Sequence, residues 1–240
     1  MKVEGRNSVY ELLKTDKEID KILVQKDLKD DASKRLINII RSHKIKLQPV
    51  DKYVIEKESE SKRHQGFIAY VSDYKYFEIE DIIEAAQEKD GLVVVLNEIL
   101  DPHNLGSIIR VCECAGADGI IIGKDRSASV NDTVMRVSAG ALNHVKVARV
   151  TNVNKAIDQL KENGYWVYGA EVGGSNVYKS DLSGKICLVI GGEDSGVKRL
   201  TKEKCDGIIS IPMFGKVNSL NASVACGIAV YEVVRQRTSK

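Results

Sequence analysis

The sequence predicts an α/β protein: a mostly parallel sheet in the C-terminal part, preceded by a smaller α/β domain. From residue 89 onward, apolar runs of about five residues alternate with segments of helical period, which is typical of a parallel sheet covered on both faces by helices. A shorter alternation occupies residues 1–76, and between the two lies a stretch with five carboxylates and no basic residue. We therefore expect an N-terminal domain at 1–76, an acidic linker or linker helix at 77–88 and a C-terminal domain at 89–240.

The first domain is predicted from apolar periodicity to contain two helices and three strands. The helices fall at about 8–13 and 32–42, and the strands at 19–24, near 47 and at 66–71. Asn7 is a plausible cap for the first helix, because its side-chain oxygen can accept a hydrogen bond from a free N–H of the first turn. The polar segment 56–65 predicts an exposed, mobile loop.

The second domain alternates more regularly. Its strands are predicted at 91–96, 119–122, 145–150, 166–171, 186–190 and 207–211, and its helices at about 104–115, 131–137, 154–163, 198–204 and 219–237. The chain has neither G-x-G-x-x-G after the first of these strands nor a G-x-x-x-x-G-K-[ST] segment. A ligand site is therefore expected at the glycines of the C-terminal third.

Composition excludes several classes of protein. The net charge of +2 and the 43% hydrophobic content are ordinary for a globular chain. The apolar runs are too short to cross a bilayer, and we expect a cytoplasmic protein with no membrane partner. The five cysteines lie in apolar or helical patterns without a C-x-x-C pair, so buried thiols are expected rather than disulfides or a metal site.

Three polar segments each follow an apolar run, and the carboxyl edge of a parallel sheet is where ligands bind. The first is residues 101–110, DPHNLGSIIR. Asn104 sits where a helix would start and Arg110 lies farther along that helix. Taken alone, Asn104 is better explained as a helix cap and Arg110 as one half of a surface ion pair.

The second segment is residues 191–196, GGEDSG. Two adjacent glycines let a ligand approach the backbone closely, and Glu193 places a carboxylate beside them. A plain turn is the alternative. The third segment is residues 211–223, IPMFGKVNSLNAS, in which Pro212 and Gly215 predict an irregular crossing and Ser219 is a good N-cap for an apolar helix.

In this order, the three segments resemble the signature of the SpoU branch of the SPOUT RNA methyltransferases, which transfer a methyl group from S-adenosylmethionine to a ribose 2′-hydroxyl. Residues 138–145 and 206–213 also resemble that family, so the likeness covers nearly all of 89–240. The resemblance implies a knotted SPOUT fold, with a deep trefoil knot closed by the third segment. It implies catalytic roles for Asn104, Arg110, Glu193, Ser219 and Asn221, and S-adenosylmethionine contacts for Gly191, Ile211, Met213 and Leu220.

Residues 5–7 and 64–66 resemble the small ribosomal-protein-like (L30e-like) RNA-binding domain that many SpoU enzymes carry. The resemblance implies RNA contacts for Arg6, Lys62 and Arg63, although a solvated surface accounts for any one of them. The two-domain layout is similar to that of enzymes that methylate a guanosine ribose in 23S ribosomal RNA. The resemblance to the family also implies a homodimer, which agrees with a C-terminal helix that is apolar nearly all round.

The role of Arg110 and the identity of the RNA stay open at this point. A guanidinium keeps its proton in proteins, so a role in binding phosphate and stabilising the forming alkoxide is favoured over that of a base. A transfer-RNA ribose methyltransferase or an antibiotic-resistance ribosomal methyltransferase fits the same motifs. A non-catalytic RNA-binding assembly factor on this fold is the alternative outside the enzymes, and the intact set of polar motif residues argues against it.

Overall fold

The computed structural model describes residues 1–15, 17–72, 74–193 and 196–239. The chain folds into two compact units, Met1–Lys75 and Tyr76–Lys240. Within the described residues, no helix combines the length and the apolar character that a membrane crossing requires.

The first unit is a four-stranded sheet with helices on both faces. Its elements are β1 (Lys2–Glu4), α1 (Arg6–Leu12), β2 (Glu18–Gln25), α2 (Asp31–Ser42), β3 (Leu47–Val50), α3 (Lys52–Glu58) and β4 (Phe67–Ser72). The strand order is β1-β4-β2-β3, and only the β2–β3 pair is parallel. Helices α1 and α2 pack on one face around Ile22 and Phe67, while Ile55 of α3 packs on the other face.

Two local predictions for this unit are wrong, and one strand was not predicted. Asn7 lies inside α1, and Gly5 occupies the N-cap position with a φ of 99°. The polar segment 56–65 begins inside α3, which forms because Ile55 is buried against β2 and β4. Strand β1 has only three residues, and it exists because it pairs with β4, a tertiary contact that periodicity does not encode.

The second unit contains six strands and six helices among its described residues. The strands are β5 (Leu92–Asn97), β6 (Gly119–Gly123), β7 (Lys146–Val150), β8 (Trp166–Asn176), β9 (Ile186–Gly191) and β10 (Gly207–Ser210). The helices are α4 (Ile79–Ala85), α5 (Pro102–Cys114), α6 (Asp132–Val137), α7 (Val153–Glu162), α8 (Arg199–Lys202) and α9 (Ala222–Thr238).

The sheet order is β10-β8-β9-β5-β6-β7, and every pairing in it is parallel. Helices α4 and α7 cover one face, where Ile82 and Leu160 meet the strand side chains. Helices α5 and α9 pack together and contact β6, β8 and β9. The predicted parallel sheet between two helical layers is confirmed, and the carboxyl ends of all six strands meet at one edge.

The acidic segment 77–88 belongs to the second unit. It contains α4, whose carboxylates face solvent while Ile79 and Ile82 are buried in the core beside β5 and β6. A bridge from Phe77 to Ala148 of β7 ties its beginning to the sheet. The segment predicted as a linker therefore contributes one of the helices that cover the sheet.

Strand β8 is longer than predicted because it carries a large bulge. Gly169 pairs with Ile208 of β10, and the next pair joins Ser175 to Ile209, so residues 170–174 leave the ladder with β10. Gly174 lies so close to β10 that a Cβ there would stand 2.5 Å from the Ile208 carbonyl oxygen. The bulge opens space at the carboxyl edge of the sheet.

All five cysteines are free. Cys112, Cys187 and Cys226 are buried as expected, whereas Cys114 is exposed. A hydrogen bond with Cys226 and full burial raise the pKa of the Cys112 thiol, which places a close thiol pair between α5 and α9.

Candidate active site

A cavity of about 230 Å³ lies at the carboxyl ends of β8, β9 and β10. Gly191, Ile211, Met213 and Leu220 all line it, together with Glu193 and Ser219. The structure thus brings the second and third motif segments to one enclosed space.

The shape of the cavity follows from the β8 bulge and from small residues on α9. Ala170, Glu171 and Val172 of the bulge form one wall. Ala222, Ala225 and Ala229 recur at helical spacing on the facing side of α9. Larger side chains at these three positions would fill the space.

The paired glycines serve the close approach of the protein's own backbone. A Cβ on Gly191 would stand 2.1 Å from the carbonyl carbon of Gly196, and one on Gly192 would stand 2.4 Å from the carbonyl oxygen of Glu98. The Gly196 N–H also donates to the Gly192 carbonyl at 2.9 Å. Any side chain at position 191 therefore displaces the turn itself, before a ligand is considered.

Three predicted catalytic residues form a hydrogen-bonded chain at this cavity. The amide nitrogen of Asn221 donates to Asn104 Oδ1 at 2.9 Å, and Asn104 Nδ2 donates to Glu193 Oε1. Asn104 is buried, whereas Glu193 and Asn221 are exposed. One side chain from each of the three motif segments is therefore held in a fixed orientation relative to the other two.

The helix caps explain why Asn104 and Asn221 are available. Asp101 caps α5 by accepting from the His103 N–H at 2.8 Å, and Pro102 takes the first helical position. The expectation that Asn104 or Ser219 begins a helix is wrong. Asn221 caps α9, since its Oδ1 accepts from the Ser223 N–H at 2.9 Å, and this leaves its Nδ2 free for Asn104.

Arg110 is not among the residues that line the cavity. It lies on α5 beyond Asn104 and is exposed, and its guanidinium forms no hydrogen bond or ion pair within the part of the chain that the structure describes. The neighbouring Val111 packs close to Gly227 of α9, so Arg110 borders the contact between these two helices. Of the five predicted catalytic residues, Glu193 and Ser219 line the cavity, and Asn104 and Asn221 are joined to it through the hydrogen-bonded chain that ends on Glu193. Arg110 lies at the surface of this chain.

Sequence reasoning missed Glu171 and Asn97. Glu171 lines the cavity, accepts from the Val197 N–H at 3.1 Å and forms an ion pair with Lys202. Asn97 is buried at the end of β5, where its carbonyl accepts from Gly192 and its Oδ1 accepts from the Lys198 N–H at 2.8 Å. Glu171 ends the predicted strand 166–171 and Asn97 directly follows the predicted strand 91–96, so a polar residue at the end of a predicted strand was the available signal.

In the first unit, the structure brings residues 5–7 next to residues 64–66. The Gly5 N–H donates to the Phe67 carbonyl at 3.1 Å and the Arg6 N–H donates to Gln65 Oε1 at 3.1 Å. The Arg6 guanidinium pairs with Asp30 at 2.8 Å, and Lys62 Nζ donates to the Glu56 carbonyl at 3.0 Å.

Glu4 orders the loop that carries Lys62 and Arg63. Its carboxylate accepts from Ser59 Oγ at 2.7 Å, from the Glu60 N–H at 2.6 Å and from the Ser61 hydroxyl. Burial raises the pKa of Glu4, but the hydrogen bonds from Ser61, Ser59 and the backbone outweigh it and lower that pKa to about 2. The backbone that carries the exposed side chains of this loop is therefore fixed by its hydrogen bonds to Glu4.

Two protein families match the chain along its length. Residues 91–231 match the SpoU rRNA Methylase family, and residues 2–77 match the domain described as RNA 2'-O ribose methyltransferase substrate binding. A protein of Staphylococcus saprophyticus assigned to the TrmH family of tRNA/rRNA methyltransferases is 43% identical over 98% of this chain and 95% of its own length. A Staphylococcus aureus protein with the same assignment is 42% identical over 98% of this chain and 96% of its own.

Solved structures share the fold. The SpoU methyltransferase AviRb from Streptomyces viridochromogenes, in complex with the cofactor AdoMet, superposes with a TM-score of 0.65 at 24% identity, covering 100% of this chain and 91% of that one. The TrmH/SpoU tRNA modifying enzyme of A. aeolicus superposes with a TM-score of 0.58 at 28% identity, covering 67% of this chain and 83% of that one.

Proposed function

The chain belongs to the SpoU family of S-adenosylmethionine-dependent RNA methyltransferases. From that premise we propose that it methylates a ribose 2′-hydroxyl, and that the ribose is that of a guanosine in 23S ribosomal RNA. Its C-terminal unit has the SPOUT methyltransferase fold. The trefoil knot of that fold stays a prediction.

The observation that carries the proposal is the chain from Asn221 through Asn104 to Glu193. It joins the three motif segments and ends on a carboxylate that lines the cavity. An assembly factor that only binds RNA has no need to fix a carboxylate in this way. The geometry therefore favours catalysis over binding alone.

The cavity suits the cofactor of the family. Ile211, Met213 and Leu220 supply an apolar surface for an adenosine, and Gly191 brings backbone close to it. Within the described chain, residues 212–220 form no hydrogen bond with other backbone groups. Their C=O groups, and the N–H groups of all of them except Pro212, are therefore available to a ligand. When bound, S-adenosylmethionine supplies an electrophilic methyl group on a sulfonium.

The reaction forms a bond between the ribose 2′-oxygen and the methyl carbon while the carbon–sulfur bond breaks. The bonding electrons leave with the sulfur, and the hydroxyl proton passes through Glu193 Oε2 to water. Asn104 occupies Glu193 Oε1, which leaves Oε2 to accept the hydrogen bond of the 2′-hydroxyl. Ser219, on the cavity wall, is placed to orient the ribose. These residues would hold the nucleophile in line with the methyl group, and such positioning lowers the barrier to the transfer.

We propose that Arg110 acts at the interface of a homodimer. Val224 and Tyr231 are exposed, and they share a face of α9 that differs from the face lining the cavity. A second copy of the chain would cover them. Arg110 borders that helix pair, so dimerisation would place it at an interface, where its guanidinium can bind a phosphate and stabilise the alkoxide. Mixing Arg110→Ala with Glu193→Gln chains tests this: restored transfer supports a shared site, and no restoration contradicts it.

Arg6, Lys62 and Arg63 are proposed to bind RNA on the first unit. These cations lie on two neighbouring segments. Hydrogen bonds between 5–7 and the 64–67 region, and those that Glu4 accepts from the 59–61 loop, fix the backbone of both segments. The match of residues 2–77 to a substrate-binding domain supports this role. Cations on an ordered backbone lose less entropy on meeting phosphates than cations on a free loop.

A transfer-RNA ribose is the second candidate substrate. The 28% identity to a tRNA modifying enzyme and the joint tRNA/rRNA assignment of the staphylococcal relatives favour it. Incubation of the chain with labelled S-adenosylmethionine and unmodified 23S ribosomal RNA or tRNA separates the two. Label on 23S RNA that disappears with Glu193→Gln supports the first proposal, label on tRNA supports the second, and no label on either contradicts both.

A further inference from the structure

A second depression, a groove of about 510 Å³, lies beside the cavity at the same edge of the sheet. It is built from the segments that follow β5, β6, β7 and β9. Its polar lining includes Glu98, Arg126, Asn152, Asn154, Lys198 and Arg199. No residue of the groove belongs to the proposed methyl-transfer chemistry.

The groove is lined by three cations and one carboxylate. Glu98 binds two of the cations, Arg126 at 3.3 Å and Lys198 at 3.0 Å, and so joins the loops after β6 and β9. Arg199 pairs with Glu203, which does not line the groove, at 2.7 Å. The net charge of the lining is therefore positive.

The guanidinium groups remain accessible despite these ion pairs. The side chains of Arg126 and Arg199 are 77% and 81% exposed. A guanidinium has five N–H donors, so one carboxylate contact leaves donors for a phosphate. Exposed ion pairs of this kind are weak and are readily exchanged for a phosphate contact.

Two amides of the groove are also oriented toward donating. Asn152 Oδ1 accepts from the Asn154 and Lys155 N–H groups at the start of α7, and Asn154 Oδ1 accepts from Thr201 Oγ1 at 2.9 Å. Both amide oxygens are thus occupied. Their Nδ2 groups have no acceptor among the residues that the structure describes, and they can donate to a base or to a ribose hydroxyl.

The groove begins next to the catalytic carboxylate. Gly192 donates its N–H to the Asn97 carbonyl at 3.0 Å and lies against the Glu98 carbonyl. Glu193, the next residue, lines the cavity. A ribose held at Glu193 therefore has its neighbouring nucleotides within reach of the groove.

We propose that this groove binds the RNA strand next to the target nucleotide, with Arg126 and Arg199 on phosphates and Asn152 and Asn154 on a flanking nucleotide. The inference rests on the proposed function, because it takes RNA as the substrate. It assigns to the catalytic unit an RNA contact of its own, in addition to that of the first unit.

The test is RNA binding by the full chain carrying Arg126→Ala and Arg199→Ala, measured on unmodified 23S ribosomal RNA across a salt series. The matched control carries Lys161→Ala and Lys204→Ala, which also removes two cations and two partly exposed ion pairs. These lysines precede β8 and β10 and so lie near the amino ends of the strands, away from the groove at the carboxyl ends. Calorimetric affinity for S-adenosylmethionine reports that each variant is folded.

We expect the groove variant to lose RNA affinity on the order of 10-fold near 0.15 M salt, with a salt slope smaller by about 1.4, since each single-strand phosphate contact contributes about 0.7. The control should bind RNA as the unaltered chain does. Equal losses in the two variants, or no loss in the groove variant, would overturn the inference while leaving the proposed function standing. If the unaltered chain binds neither 23S RNA nor tRNA, the proposed function fails instead.

Discussion

The cavity and the groove occupy two halves of the carboxyl end of the sheet, and they are lined by different kinds of residue. The cavity, at β10, β8 and β9, is enclosed by a strand bulge, by glycine backbone and by three alanines of α9. The groove, at β9, β5, β6 and β7, is open and is lined by long cations and amides. The first construction suits a small, partly apolar ligand, and the second suits a polyanion.

The described residues 191–193 and 196–198 lie between the two regions and show how the division is maintained. Gly191 faces its own turn, Gly192 meets β5, and Glu193 lines the cavity. Backbone atoms therefore separate the cavity from the groove, while the side chains on either side are available to bind the two ligands. Variants on one side should leave the other side's ligand unaffected.

The largest effect is expected from Ala225→Phe. The ring would occupy the cavity, so S-adenosylmethionine affinity should fall by roughly 100-fold or more, while RNA affinity is retained. Thr238→Phe, at the exposed far end of α9, is the control and should bind the cofactor normally. Calorimetry measures both, and normal cofactor binding by Ala225→Phe would break the assignment of the cavity.

Asn104→Ala tests the hydrogen-bonded chain without entering the cavity. The change frees Glu193 and leaves the Asn221 amide without its acceptor, so kcat should fall roughly 100-fold through misorientation. Cofactor affinity should not change, because Asn104 is not part of the cavity lining. Asn163→Ala, which removes an exposed amide that donates to the Gln159 carbonyl, is the control in single-turnover kinetics. A fall in cofactor affinity equal to the fall in kcat would contradict this role.

Neutralising Arg6, Lys62 and Arg63 asks whether the groove is the sole RNA contact. Loss of three cations should weaken RNA binding by about 10-fold or more and reduce the salt slope by about 2. Arg41, Lys44 and Lys46, exposed at the opposite end of α2 from Asp30, provide a control triple of equal charge change. Equal losses in the two triples would show a general charge effect and remove the site from the first unit.

The smallest effect concerns Glu4. Its pKa is lowered from 4.5 to about 2 in the folded chain, so its stabilisation is complete above pH 4.5 and is lost as the pH falls toward 2. Glu4→Gln should lower the free energy of unfolding at pH 7 by about 1–2 kcal/mol, a figure reduced for partial exposure to solvent. Denaturant unfolding at several pH values should show this difference vanish near pH 2. A difference that stays constant with pH would contradict the role of the carboxylate.

The sheet could be predicted from the sequence because its strands are short apolar runs buried on both faces. The 91–96 and 186–190 runs each shift by one residue at most in the structure. The site was harder. Asn104 could be placed on a helix, but its partner Glu193 is 89 residues away in the chain, and no local pattern encodes that contact.

The walls of the cavity depended still more on tertiary structure. The β8 bulge exists only through its pairing with β10, and its sequence, GAEVGGS, gives no register by itself. Ala225 and Ala229 belong to a helix that sequence describes only as apolar. The motif resemblance located the segments, and the pairing of distant strands determined which of their side chains meet.

The most direct test of the central claim identifies the methylated atom. Unmodified 23S ribosomal RNA labelled by the chain from methyl-labelled S-adenosylmethionine is digested to nucleosides, and these are separated by chromatography and mass spectrometry. The account predicts label in 2′-O-methylguanosine, absent with Glu193→Gln. Label in a base-methylated nucleoside would contradict it.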